Sequence, residues 1–289
     1  MFLPFKISIQ EIQKLLYRND YKKQSLKYTI FVNNVNNAIK GSINPELLIS
    51  DFDDEINGSK LRDEWFPVDL IEQQFDVFIS HSHRDEESKR TISLFASWLY
   101  DIYGIKSFID SYYWDYAGNL IDELNNHFSN PRKVGTSTNY NYSSAKFINS
   151  CVDIMLANAL TDMISHIDCV LFIDSDNSLS YHKSNGRYSA NMTSSPWIYH
   201  EINFVNHSKW ETPLYYKQHI ADASYKPRIR LFSEGAKFML PVDIDRFYPM
   251  DYKKFMRLKG MRKDALCSWF DLYDEDEIDE TLYKIILND

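Results

Sequence analysis

The chain of 289 residues lacks the features that mark several common classes of protein. It has no run of about 18 apolar residues, which a membrane-spanning helix requires. Its first residues also turn polar too early for a secretory signal. The formal net charge of -9 argues against a nucleic-acid binder that works through a broad basic surface. We therefore expect neither a membrane nor a nucleic acid among its partners.

Cysteine and glycine are scarce, with three and eight residues. The three cysteines are scattered and odd in number, which is typical of reduced core residues in a cytoplasmic protein. The chain has no Walker A motif, no Gly-x-Gly-x-x-Gly and no Gly-x-Ser-x-Gly. His81 and His83 lie two residues apart, but no third ligand is suitably spaced, so we predict no metal site.

The stretch Phe75–Ser82 organises the rest of the chain. It begins as an aromatic and β-branched run, which is typical of a strand buried on both faces of a parallel sheet. It ends in small polar residues, and a charged segment then opens an amphipathic helix that stops at Gly104. A buried strand, a polar loop and a helix form the first unit of an open α/β fold. In such folds, ligands bind at the carboxyl ends of the strands.

Strands and helices alternate along the remaining sequence. Further strands are predicted at 105–110, 168–173, 228–232 and 238–242, and further helices at 120–128, 147–167 and 282–286. A polar loop is predicted at 176–195, and another helix is predicted to start near Ser195, with Pro196 in its first turn. This alternation predicts a flavodoxin-like, doubly wound parallel sheet. We expect the strand at 75–80 to lie between those at 105–109 and 170–173, with Val77 and Ile79 buried.

The chain is predicted to have two parts. Residues 1–70 form a mainly helical accessory extension, in which Ser8 and Glu11 have the spacing of a capping box. The acidic segment 51–60 is predicted to be a linker. Residues 71–289 form the main domain, with a C-terminal elaboration and an insertion at 129–146. This insertion is polar and has no acidic residue, so we expect a mobile surface segment near the mouth of a pocket.

Four motifs resemble those of the Toll/interleukin-receptor (TIR) domain, and they occur in the order of that family. They are Asp76–Ser82 with Asp85, Phe108–Asp110 with Trp114–Gly118, Val170–Ser175, and Ser195–Glu201, which is similar to Ser-x-Trp-x-x-x-Glu. The matches cover the chain from Phe75 to about Val205. The insertion and the long helix after it make the chain look more like the large TIR proteins of bacterial antiphage systems such as Thoeris. The resemblance implies the TIR fold.

The resemblance also implies an activity. Many such proteins cleave NAD+ and release ADP-ribose or a cyclised isomer, which activates a downstream effector. NAD+ would then be the substrate, and no cofactor is expected. Catalysis in the family often needs TIR domains to pack together, so self-association is expected.

Glu201 is the candidate catalytic residue. Breaking the nicotinamide–ribose bond leaves an oxocarbenium-like ribose, which a nearby carboxylate stabilises. Glu201 lies one helical turn after Trp197, so both project from the same face. We expect it at the mouth of a crevice. The alternative is a solvated acid in the first turn of the helix, beside a Trp197 that only fills the core.

The candidates for substrate binding follow the ends of three predicted strands. They are Ser80, His81, Arg84, Asp110, Trp114, Ser175, Asn177 and Trp197. The first loop and Arg84 would bind a pyrophosphate, Trp114 would stack on a base or on nicotinamide, and Ser175 and Asn177 would contact ribose. An ordinary capping loop and a hydrophobic plug remain the alternatives for the first two groups.

Two other functions remain open. A non-catalytic TIR module would use the same loops to bind a partner protein. An enzyme similar to nucleoside deoxyribosyltransferases would have a related fold and would also use a glutamate at an anomeric carbon.

Overall fold

The computed structural model describes residues 3–42, 58–68, 74–82, 86–113, 116–184, 187–208, 212–222, 242–244 and 246–272. The strands are β1 (Leu3–Ser8), β2 (Val77–Ser80), β3 (Ser107–Phe108), β4 (Arg132–Val134), β5 (Ser137–Asn139), β6 (Cys169–Asp174), β7 (Ser180–Ser184), β8 (Arg187–Met192) and β9 (Tyr248–Met250). The helices are α1 (Ile9–Arg18), α2 (Leu26–Ser42), α3 (Gly58–Trp65), α4 (Glu86–Tyr103), α5 (Asp110–Tyr113), α6 (Tyr116–Phe128), α7 (Tyr142–His166), α8 (Pro196–His207), α9 (Leu214–Asp222) and α10 (Tyr252–Phe255). Residues 263–272 are also helical.

Five parallel strands form the central sheet in the order β3-β2-β6-β1-β9. Helices flank the sheet, so the fold is a flavodoxin-like, doubly wound α/β fold, as predicted. β2 lies between β3 and β6 and is parallel to both, which confirms the predicted neighbours. Val77 and Ile79 are fully buried, because a strand inside such a sheet is covered on both faces.

β1 is a strand that we did not predict. It pairs with β6 on one side and with β9 on the other, and Phe5 and Ile7 are buried in the sheet. Among the described residues of the segment 1–70, α1, α2 and α3 are helical, but the first strand, β1, belongs to the central sheet. We did not predict this strand because Pro4 and Lys6 interrupt its apolar pattern in the sequence. The Lys6 ammonium reaches the edge of the core and donates to the Ile244 carbonyl at 3.0 Å.

The start of α1 confirms the predicted helix start. Ser8 is the N-cap, and its hydroxyl accepts a hydrogen bond from the backbone N–H of Glu11. This contact satisfies one of the backbone donors that the first turn of a helix leaves without a partner. The last residue of β1 therefore also fixes where the next helix begins.

An aromatic cluster supports the sheet and accounts for part of the 15% aromatic content. Phe255 of α10 packs edge-on against Phe95 of α4 and against Trp269, with ring centroids 5.3 and 4.9 Å apart. Trp269 in turn contacts Phe5 of β1. Edge-to-face pairs of this kind add to the free energy gained by burying apolar area. The cluster joins α4, α10 and residues 263–272 to the strand that the sequence concealed.

The chain divides into two compact units. The first unit comprises residues 1–29, 74–108 and 167–289 and contains the sheet. The second comprises residues 30–73 and 109–166, where α7 packs against α3 and α6. The second unit is therefore built from two stretches that alternate with the first along the chain.

The predicted insertion at 129–146 contains a β-hairpin. β4 and β5 pair antiparallel around Gly135, whose φ of +63° is readily adopted only by glycine, and residues 130–139 are exposed. Ser129 closes the base, because its carbonyl accepts from the backbone N–H of Asn141 at 2.7 Å. α7 begins at Tyr142, earlier than the predicted 147. That the insertion is mobile and lies near the mouth of a pocket stays a prediction.

Five further predictions differ from the structure or lie wholly or partly outside it. The polar segment between β6 and α8, predicted to be a loop, contains the antiparallel pair β7 and β8. The linker at 51–60 is described only from residue 58, where α3 begins. The predicted strands at 228–232 and 238–242, apart from Val242, and the helix at 282–286 lie outside the described residues.

Within the described residues, α7 alone is long and apolar enough to cross a membrane by length and composition. Buried helices of globular proteins pass the same test, so this is weak evidence. Six side chains of α7 are buried: Ile148, Val152, Ala159, Leu160, Met163 and Ile164.

Candidate functional site

The helix α8 begins where the sequence predicted it. Pro196 occupies the first turn, where its missing N–H costs nothing. Ser195 is the N-cap, and its hydroxyl accepts from the backbone N–H of Ile198 at 3.3 Å. These two residues fix the start of the helix and therefore the direction in which its second turn points.

Glu201 lies on the core-facing side of α8. The buried residues of this helix are Ile198, Glu201, Ile202 and Val205, which recur at the spacing of one helical face. A carboxylate at such a position loses its hydration, which is costly unless polar partners replace the water. Glu201 is 3% exposed, so our expectation of a carboxylate at the open mouth of a crevice was wrong. Its place three residues after Ile198 explains the burial.

The Ser80 hydroxyl supplies a partner for this carboxylate. It donates to Oε2 of Glu201 at 2.5 Å, although the two residues are 121 positions apart in sequence. Ser80 is the last residue of β2 and is 2% exposed. Hydrogen bonds to ionised acceptors are shorter and stronger than those between neutral groups. The contact therefore joins the carboxyl end of the sheet to the second turn of α8.

The contact lies where the strand order of the sheet reverses. The chain runs from β2 outward to β3 and then crosses back to β6 on the other side of β2. Ligands of doubly wound sheets bind outside the carboxyl ends of the strands at this kind of position. Ser80 pairs in register with Phe172, two residues before the end of β6. The predicted catalytic residue and the first predicted binding residue are therefore together at the expected end of the sheet.

The loop after β2 is buried at its start. His81 and Ser82 are 4% and 5% exposed, and Nδ1 of His81 lies 3.0 Å from the Ser82 carbonyl oxygen. This geometry holds the imidazole against its own loop. Arg84 lies outside the described residues, so the binding of a pyrophosphate by this loop stays a prediction.

The loop after β6 is fixed by a serine that the sequence analysis missed. The Ser178 hydroxyl accepts from the backbone N–H of Ser175 at 2.7 Å and donates to its carbonyl at 2.8 Å. Ser178 is buried, Ser175 is half-buried and Asn177 is exposed. The alternation of Asp, Asn and Ser after the strand was the available signal, because these side chains often close turns onto their own backbone. Contact with ribose at Ser175 and Asn177 stays a prediction.

Asp110 and the aromatic residues after it belong to the second unit. Asp110 is buried, and its carboxylate accepts from the backbone N–H of Ser111 at 2.7 Å, at the start of α5. Tyr113 is 1% exposed, and burial raises the pKa of its phenol. A tyrosine so deeply buried is consistent with the hydrophobic plug that was the alternative for this loop. Trp114 lies outside the described residues.

Trp197 is half-buried in the first turn of α8, one helical turn before Glu201. The indole therefore keeps part of its surface exposed, while the carboxylate does not. An aromatic ring with one exposed part is able to stack on a flat ligand. Its role in substrate binding stays a prediction.

Across the part of the chain that the structure describes, no group of three or more His, Cys, Asp or Glu side chains is arranged to hold a metal ion. Cys151, Cys169 and Cys267 are all free thiols. Comparison of the chain with models of known protein families, with curated proteins and with solved structures gave no match in any of the three.

Proposed function

We propose that this chain cleaves the nicotinamide–ribose bond of NAD+ and that Glu201 is its catalytic residue. The observation that carries the proposal is the hydrogen bond between Ser80 and Glu201 at the carboxyl end of β2. Its two residues come from two of the motifs that resemble TIR domains, and a long stretch of sequence separates them. An active site assembled from those motifs requires them to meet at this end of the sheet.

The chemistry asks for a negative charge near the sugar. When the bond between C1′ of ribose and the nicotinamide nitrogen breaks, the electron pair leaves with nicotinamide and positive charge develops on the ribose. The Glu201 carboxylate stabilises that charge, which is present in the transition state and much weaker in the bound substrate. Attack by water gives ADP-ribose and releases a proton. Attack by a nucleophile within the ADP-ribose moiety adds no water and gives an isomer of cyclic ADP-ribose.

The biological setting follows from the same resemblance. We propose that the protein acts in the cytoplasm, that it self-associates, and that its product is an antiphage signal sensed by a downstream effector. The net charge of -9 opposes close approach of the anionic substrate over most of the surface. Local cations beside the site, such as the predicted Arg84, are therefore part of the proposal.

Product analysis tests the reaction class. The purified full-length protein is incubated separately with NAD+ and with a deoxynucleoside plus a free acceptor base, and the products are resolved by mass spectrometry. We expect nicotinamide together with ADP-ribose or a cyclic ADP-ribose isomer from NAD+. Exchange of the base on the deoxynucleoside, with NAD+ intact, would instead favour the deoxyribosyltransferase reaction.

Two controls exclude a contaminating enzyme. Glu201→Gln, purified in the same way, removes the charge and should form product about 10²- to 10³-fold more slowly. Glu86→Gln changes an acid on α4 whose side chain is 89% exposed, and it should match the wild type. Equal turnover by wild type and Glu201→Gln would overturn the proposal. Turnover of neither substrate by the wild type would favour the interaction module.

A further inference from the structure

We infer that Ser80 is a positioning residue, whose hydroxyl orients the Glu201 carboxylate instead of binding substrate directly. The inference rests on the proposed function and revises the role that the sequence predicted for Ser80. It starts from the direction of one hydrogen bond. The Ser80 hydroxyl is the donor, and Oε2 of Glu201 is the acceptor.

A serine hydroxyl carries a single proton. Donation to Glu201 uses that proton, so Ser80 cannot donate to a substrate hydroxyl or phosphate at the same time. Its oxygen still has lone pairs, but the phosphates of NAD+ offer no donor to them. The contact seen here therefore competes with the predicted binding of the pyrophosphate by this hydroxyl.

Both partners are held in place by their surroundings. The Ser80 backbone is fixed by pairing of β2 with β6, and its side chain is 2% exposed. Glu201 sits in the buried stripe of α8 between Ile198 and Ile202. Both side chains are buried, so the hydrogen bond favours one orientation of the carboxylate before any substrate arrives. Groups that are already oriented do not lose that freedom during the reaction.

A neutral donor suits this task better than a cation would. An arginine or lysine at the same distance would orient the carboxylate but would also cancel much of its charge. A hydroxyl fixes the direction and leaves the net charge of the carboxylate for the developing ribose cation. Ser80 thus acts through Glu201, and its contribution depends on the carboxylate being there.

Kinetics of Ser80→Ala separate the two roles. We expect kcat to fall by about 10- to 100-fold, the range that one hydrogen bond to a charged group supports, while KM for NAD+ changes little. Losing a donor to the ionised carboxylate favours its protonated form, so the acidic limb of the pH–rate profile should move to higher pH. Ser107→Ala removes a fully buried hydroxyl from β3 and is the matched control, with kcat unchanged.

A double mutant tests whether Ser80 acts only through Glu201. In a Glu201→Gln background, Ser80→Ala should change the residual kcat by less than about 2-fold, because residues that act as a unit are not additive. A raised KM with normal kcat, or the full loss in both backgrounds, would overturn the inference. Ser80→Cys fills the same volume with a weak donor. It gives the same test if Ser80→Ala does not fold.

One further readout does not need turnover. The carboxyl ¹³C resonance of Glu201 should titrate at higher pH in Ser80→Ala than in the wild type. If that shift appears but the wild type leaves NAD+ intact, the contact is real and the proposed reaction is wrong. If the wild type cleaves NAD+ and the resonance titrates identically in both proteins, the positioning role is wrong and the proposed reaction stands.

Discussion

The two ends of strand β2 each hold a buried carboxylate, but the partners of the two carboxylates differ. At the amino end, Asp76 is fully buried and lies 3.3 Å from Nε of Arg262 and 3.4 Å from Nζ of Lys263. At the carboxyl end, Glu201 is 3% exposed and accepts a hydrogen bond from the neutral Ser80 hydroxyl. Asp76 is thus bound by opposite charge, whereas a neutral hydroxyl is one of the partners of Glu201.

The amino end has the features of a structural ion cluster. Lys263 also pairs with Asp168 just before β6, and Asp76 accepts from the backbone N–H of Lys106 at 3.0 Å. These contacts tie residues 262 and 263 to the starts of two strands. Breaking such a cluster leaves buried charge without compensation, which is why it supports stability. The comparison teaches that burial alone does not mark a functional carboxylate, because the chemistry of its partners decides what it is able to do.

Neutralising Asp76 should have the largest effect on stability. Asp76→Asn keeps the size of the side chain and an acceptor for the Lys106 N–H, but it removes the charge that faces two cations. We expect the free energy of unfolding to fall by on the order of 2 kcal/mol, since both cations are half-exposed and are able to turn toward water. Chemical denaturation measures the loss, and NAD+ turnover by the folded variant should stay close to the wild-type rate.

An exposed ion pair is the matched control. Asp20 and Lys22 lie 2.6 Å apart, but their side chains are 81% and 80% exposed. Asp20→Asn should leave the unfolding midpoint unchanged, because water screens such pairs. If Asp76→Asn were as stable as the wild type, or if it stayed folded and lost turnover, the distinction between the two ends of β2 would fail.

Two buried thiols, Cys169 and Cys267, lie near the ion cluster at the amino end of β2, and their reactivity gives a further test of the comparison. Burial raises the pKa of Cys267 from its ordinary 9.0 to about 11, and burial and the nearby Asp168 raise that of Cys169. Both should therefore stay protonated at pH 8 and react slowly with thiol reagents, whereas the half-buried Cys151 should react first. Mass spectrometry of timed alkylation measures the order. Modification of Cys169 before Cys151 would contradict the burial of Cys169 at the amino end of the sheet.

The raised pKa of Cys267 also predicts how the stability of the protein changes at alkaline pH. Between about pH 9 and 11, Cys267 loses its proton in the unfolded chain but keeps it in the folded protein. Its contribution to stability is therefore complete below pH 9 and decreases as the pH rises through this window. Cys267→Ala should show a smaller loss of stability over that range. An equal loss in both proteins would assign the effect to other groups.

The sequence predicted the strands that carry their own signal. β2 and β6 are short apolar runs bounded by polar residues, and helical spacing follows each of them, so their place in the sheet could be expected. The place of β1 could not be expected, because Pro4 and Lys6 interrupt its apolar pattern. Only its pairing with β6 and β9 shows that it belongs to the sheet. The lysine is tolerated because its ammonium reaches a carbonyl at Ile244. Local pattern does not contain that information.

The site was predictable in its members but not in its arrangement. Glu201 and Ser80 were both named from motifs, yet their mutual hydrogen bond and the burial of Glu201 depend on how α8 packs on the sheet. One signal was available: Glu201 interrupts the stripe of Ile198, Ile202 and Val205, where an apolar residue is the rule. A polar residue on the core face of a helix conflicts with local preference, and such conflicts concentrate at functional positions.

The most direct test of the account is the turnover of NAD+ by Glu201→Gln at saturating substrate. Glutamine keeps the size of the side chain and an oxygen that accepts from the Ser80 hydroxyl, so the fold and the affinity for NAD+ should change little. The negative charge is lost, and removal of one transition-state electrostatic contact typically lowers kcat by about 10²- to 10³-fold. We predict a loss of that size with KM within about 3-fold of the wild-type value. A variant that cleaves NAD+ at the wild-type rate would contradict the assignment of Glu201 as the catalytic carboxylate.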